Sequence, residues 1–165
     1  MTHDRDPRGA QPAGVSALTA LTVGWVSFAA VALLGLGMLS YFAELDVIPA
    51  EGAYRWAGIA AMIVAIGGFA ATLSWMLRPP RPSYASAVVV GLVAALLHLI
   101  VVALGALLGG EQVVGAMVAV SMLVTQGASL VILLAGVVAA WIAIALRRTR
   151  AGAPRWPWED GADPE

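Results

Sequence analysis

His98 is the one Asp, Glu, Lys, Arg or His inside four long apolar runs, so chemistry within those runs starts at this side chain. A histidine titrates near neutrality and offers both a donor and an acceptor, which suits a proton-sensitive switch or a ligand contact. The bland alternative is a neutral imidazole tying two helices together, a contact worth about 0.6–2 kcal/mol in a membrane. With no carboxylate beside it in the runs, the tie is favoured over the switch. Haem ligation by two histidines would need a second intramembrane His, and the other histidine is His3, near the N-terminus.

The remaining polar groups with chemical potential cluster at Thr125-Gln126-Gly127-Ala128-Ser129. At 1.5 Å per helical residue, His98 lies about 21 Å beyond Tyr84, while Ser129 and Gln126 lie about 26 and 30 Å from Leu146. If the third and fourth spans are neighbours, Ser129 is therefore placed to share a hydrogen bond with His98. Elsewhere the chemistry is thin. The chain has no cysteine, which removes disulfides, thiolate metal sites and thiol redox together. Glu44, Asp46, Glu51 and Glu111 lack the dense, ordered spacing of a calcium loop and read as a solvated rim. No nucleophile–base pair, metal-ligand set or close carboxylate pair lies within the spans. No catalytic, cofactor-binding or metal residue is therefore assigned, and the chain is read as non-enzymatic.

The elements that must hold these residues are the runs themselves: Ala17–Phe42, Trp56–Leu77, Tyr84–Leu108 and Val113–Leu146. Each meets the length of about 20 apolar residues that a helical crossing requires. Of the 165 residues, 61% are hydrophobic and 12% charged, and the mean hydropathy is +0.88. A soluble domain carries about 25% charge, so lipid must be the solvent for most of this surface. The formal net charge of -1 gives no case for nucleic acid.

The fold class predicted is all-α, a membrane-embedded four-helix bundle of two helical hairpins. Its helices are expected at about 17–42, 56–77, 84–108 and 124–146, between tails 1–16 and 147–165. The fourth run would measure roughly 50 Å as one helix, against a hydrocarbon core of about 30 Å. Residues 113–121 are thus expected as an outer interfacial or re-entrant piece, or as a helix extension. A break is least costly at the Gln126-Gly127 cluster, where polar side chains can satisfy freed backbone groups.

Orientation follows from arginine. All nine basic residues are Arg, and eight lie in segments that four crossings place on one side: Arg5, Arg8, Arg78, Arg81, Arg147, Arg148, Arg150 and Arg155. The other side holds only Arg55. Positive flanks stay in the cytoplasm, so both termini are expected there. A cleaved signal peptide is disfavoured because its apolar region would be about 7–15 residues, far shorter than the first run. Tyr41, Phe42, Tyr54, Trp56, Trp75 and Tyr84 sit where aromatic belts form. Gly105 and Gly109, and Gly136 and Ala140, have the spacing of close helix approach, read as contacts within the bundle rather than a specific dimer seam.

After the last run comes Arg155-Trp-Pro-Trp-Glu-Asp160. Trp156 and Trp158 flank a proline on an extended backbone, which suits a shallow groove on a protein partner. Equally, the rings suit the headgroup layer, with the arginines beside anionic lipid. The arginine-only flanks, the Ala/Gly/Val-rich spans and this tail resemble small four-span integral membrane proteins of actinobacteria. That resemblance implies a plasma-membrane location and no particular activity. The chain departs from other four-span families: no Glu in the first helix as in small multidrug transporters, no Cys pair as in enzymes of the vitamin K epoxide reductase type, no paired histidines as in four-helix cytochromes.

Two functions are carried forward. The first is a non-catalytic accessory, scaffold or regulatory subunit of a cell-envelope membrane complex, bound through the tail or through small-residue helix faces. The second is a small oligomeric transporter or channel with a polar path near His98, Gln126 and Ser129.

Overall fold

A backbone in lipid must satisfy its own hydrogen bonds, and charge-free apolar stretches of this length do so as helices. In the computed structural model, which describes residues 15–43, 54–79 and 82–149, every regular element is an α-helix. They are α1 (Ala17–Ala43), α2 (Tyr54–Met76), α3 (Ser86–Leu108), α4 (Val113–Thr125) and α5 (Ala128–Arg148). Four of them, all but α4, are long and apolar enough to cross a membrane. Large apolar side chains cover the outside, among them Leu34, Ile63, Leu96, Leu104, Leu134 and Trp141. An exterior this apolar is one solvated by lipid, and the chain is a multi-pass membrane protein.

Helix ends follow local chemistry. Ser16 caps α1, its Oγ accepting from the Thr19 amide at 3.0 Å. Gly110, at φ 94°, ends α3; the Glu111 amide donates to Ala106 O at 3.1 Å and the Gly110 amide to Leu107 O at 3.2 Å. That pair of bonds is a Schellman motif. Hydroxyls inside the helices turn back on their own helix: Thr22 of α1 donates to Leu18 O at 3.0 Å, and Ser121 of α4 to Val118 O at 2.8 Å.

The fourth run is not one helix. Gly127 stands at φ 88°, a left-handed conformation that glycine adopts without a Cβ penalty. The Gln126 amide closes on Met122 O at 2.8 Å and the Gly127 amide on Val124 O at 3.2 Å, so Val124 and Thr125 belong to the helix before the break. The last span accordingly begins at Ala128, not at about Val124, and the short helix runs to Thr125 rather than residue 121. A straight extension of the last helix is ruled out.

α3 lies between α2 and α5, and α5 lies between α3 and α1. The α3–α5 seam is closest where Gly91 meets Gly136: a Cβ on Gly136 would stand 2.8 Å from Gly91 Cα. Of the two hairpins the first is the looser, because α1 packs mainly on α5 and touches α2 far less. Their meeting point is Phe28 stacked on Phe69, ring centroids 4.4 Å apart and planes 13° apart. Around this stack sits the continuous core, with Ala32, Leu73, Leu77, Val90, Ala139, Ala143 and Ile144 all buried.

One end of the bundle gathers arginine. Arg147 Nη1 donates to Val15 O at 3.1 Å, and Arg148 Nη1 to Pro82 O at 3.3 Å. The Arg148 guanidinium also lies 4.7 Å from the centre of the Tyr84 ring, and Arg78 lies 5.2 Å from that of Trp75. The start of α1, the α2–α3 turn and the end of α5 therefore share this arginine end, as the threading requires. The tail with Trp156 and Trp158, and the loop acids Glu44, Asp46 and Glu51, lie outside the described residues.

Candidate functional site

The continuous core occupies the half of the bundle nearest the arginine end, and the far half holds a cavity. Beyond Phe28 and Phe69, α1 and α2 part, and the space between them is a cavity of about 740 Å³. α1 lines it with Leu33, Leu36, Gly37 and Ser40, and α2 with residues from Ala57 to Ile63. Val102 of α3 and Ala119, Met122 and Leu123 of α4 form the other walls. The short helix thus has a use: it packs on the far part of α3 and closes one side of the hollow.

Besides Ser40, polar groups enter this apolar space near the break between α4 and α5. His98 lines it, with 7% of its surface exposed, and its Nδ1 is buried without a hydrogen-bond partner. Gln126 and Ala128 line it from the helix break. The first amide of α5 with a backbone acceptor is that of Val131, which donates to Gly127 O at 3.0 Å, and no side chain caps the helix. The positive end of the α5 dipole therefore opens at the wall of the cavity.

Sequence spacing placed His98 and Ser129 at similar depth, and the packing agrees. From the Gly91–Gly136 contact, seven residues outward along α3 reach His98, and seven back along α5 reach Ser129. The expected hydrogen bond between them is not formed: Ser129 Oγ is itself buried without a partner. His98 and Gln126 share the cavity wall, whereas Ser129 is not part of it. The imidazole consequently ties no two helices by a hydrogen bond among the described residues. No group of three His, Asp or Glu among the described residues could hold a metal ion.

Sequence reasoning missed the contribution of α1 and α2. Gly35 and Gly37 are two residues apart on α1, yet they differ: a Cβ on Gly35 would meet Val131 Cγ1 at 2.6 Å, and one on Gly37 would meet nothing within 4 Å. The other small-residue seams are internal. Gly105 packs on Ala57, and Gly136 and Ala140 are buried, while Gly109 is exposed.

A family model, described as a family of unknown function (DUF6121), matches residues 14–165. The chain belongs to DUF6121. Its match takes in all five helices, the cavity and the tail beyond them. No curated protein and no solved structure matches this DUF6121 chain.

Proposed function

We propose that this chain is a non-catalytic protein of the cell membrane, with both termini in the cytoplasm, serving as an accessory, scaffold or regulatory subunit of a cell-envelope complex. The observation that carries the reading is the closed arginine half, where the Phe28–Phe69 stack and small residues of α1, α3 and α5 fill the bundle. A helix bundle so packed is a rigid body to build on, and among the described residues its core fills the arginine half of a single copy. His98, the one ionisable group in the spans, has no hydrogen-bond partner on Nδ1 among the described residues, and a non-catalytic role is the reading that fits it. The tail with Trp156 and Trp158 supplies a partner-binding segment.

Extraction in mild detergent is expected to bring partner proteins out with the full chain. Truncation after Ala151 should abolish that co-purification; unchanged partners would reject the tail as the docking element. A chain that emerges alone, and that by itself moves a solute across vesicles in a His98-dependent way, overturns the accessory role.

The transporter reading is favoured by one feature, the cavity with His98 and Gln126 on its wall. Because the arginine half is closed, its path would run between copies of the chain. Cytoplasmic termini follow from the arginine count, as positive flanks are retained inside. A reporter fused after Glu165 should be active only in the cytoplasm, and activity confined to the outside would reverse the threading.

A further inference from the structure

We propose that the cavity between the far halves of α1 and α2 is a binding site for a lipid-soluble molecule that carries a neutral carbonyl on an apolar chain or ring. This goes beyond the accessory role and does not depend on any partner. Size is the first argument. A volume of about 740 Å³ falls in the range of about 300–1,000 Å³ typical of small-molecule pockets. Lining is the second: apart from Ser40, which already has a partner, the walls are aliphatic and thioether side chains, and the other polar groups converge from one place.

That place decides the ligand's chemistry. The uncapped start of α5 presents amide N–H groups and the positive end of a helix dipole. Beside it, His98 is more than nine-tenths buried and lines the cavity, and its imidazole has no hydrogen-bond partner among the described residues; Nδ1 is closed off from a molecule the size of water, so the ring meets the space through its other edge. A neutral imidazole contributes one N–H, and the Gln126 amide two more. Donors thus outnumber acceptors, and the complement is an acceptor. A pure hydrocarbon would leave these donors unpaired where no water competes for them. A full anion would be held in low dielectric with no Arg or Lys on the wall. A ketone, ester or quinone-like carbonyl meets both conditions. Access is lateral, where α1 and α2 have parted and Gly37 faces open space.

The test uses the full chain in lipid nanodiscs and three photoreactive probes with the same diazirine-bearing chain: a methyl ketone, the alkane without the carbonyl, and a phosphatidylcholine. The ketone should label cavity residues such as Leu36, Met62 and Met122. The alkane should label them about tenfold less, the loss of one buried hydrogen bond. Gly37→Leu fills the hollow without colliding with a neighbour and should abolish the labelling. His98→Leu should reduce ketone labelling to the alkane level; if that variant does not fold, Gly37→Leu and the alkane comparison decide. Equal labelling by ketone and alkane, labelling indifferent to Gly37→Leu, or cavity labelling by the phosphatidylcholine alone each overturns the proposal, the last by assigning the space to bulk lipid.

Discussion

Replacing Gly91 by Leu should pull α3 away from α5 and destabilise the bundle by about 3 kcal/mol or more, the upper end of what overpacking costs. A Cβ at this position would lie 2.8 Å from Leu133 O, 2.9 Å from Val137 N and 2.7 Å from Val137 Cγ2. Two of those three neighbours are backbone atoms of α5, which cannot rotate aside as a side chain can. α5 is also the main partner of α1, so a displaced α5 disturbs both seams. Helix propensity predicts the opposite sign, since Leu is favoured over Gly by several tenths of a kcal/mol within a helix. Gly67→Leu separates the two effects. A Cβ there would meet nothing within 4 Å, so propensity acts alone and stability should be unchanged or slightly raised. Unfolding in mixed micelles of rising SDS fraction, followed by circular dichroism, measures both variants. Equal stability of Gly91→Leu and Gly67→Leu would mean that the α3–α5 seam is not the close crossing described.

The contrast between these glycines marks what the sequence can and cannot convey. Span number, helical class and the shared end of the arginine segments were legible, because each depends on composition along one run. The break at Gly127 was legible as a place of least cost, since the polar residues that stabilise it are adjacent in the chain. Its register was not: whether Val124 and Thr125 join the helix before or after depends on the left-handed turn at Gly127 and the two amide bonds that close it. Gly37, Gly67 and Gly91 all sit in similar Ala, Val, Leu and Ile surroundings, and only the neighbouring helix tells them apart.

The cavity was illegible for the same reason. His98, Gln126 and Ser129 stood out by type, and depth counting brought Ser129 near the level of His98. Nothing in the local pattern of Leu33–Ser40 or Ala57–Ile63 says that α1 and α2 separate there. Separation is set at the other half of the bundle, by two phenylalanines 41 residues apart in the chain whose stack brings α1 and α2 together. Where the aromatic pair ends, residues facing between the helices are Leu36, Gly37, Gly58 and Met62, and the walls no longer meet. Depth alone also over-predicted the His98–Ser129 bond: sharing a level on neighbouring helices does not place two side chains within reach.

Phe28→Ala should therefore have the second large effect, and a diagnostic one. In a water-soluble core this change costs about 3–5 kcal/mol, part of it from transfer of apolar surface into water and part from the void left behind. In a bilayer the first part nearly vanishes, because lipid chains are as apolar as the interior, while lost packing remains. The expected cost is roughly 2–3 kcal/mol, since Phe28 is fully buried and its partner Phe69 loses its stacked face. Phe42 provides the control: it is 73% exposed, so Phe42→Ala exchanges one lipid contact for another and should cost almost nothing. The same SDS titration ranks Phe28→Ala, Phe69→Ala and Phe42→Ala. Because the two rings act as one contact, the double variant Phe28→Ala/Phe69→Ala should cost less than the sum of the single changes. Additive losses would show that each ring packs independently and that the stack is not what joins α1 to α2. Truncating the pair should also lengthen the hollow toward the arginine end, so the methyl ketone probe should begin to label Leu73, a residue that the intact stack keeps buried.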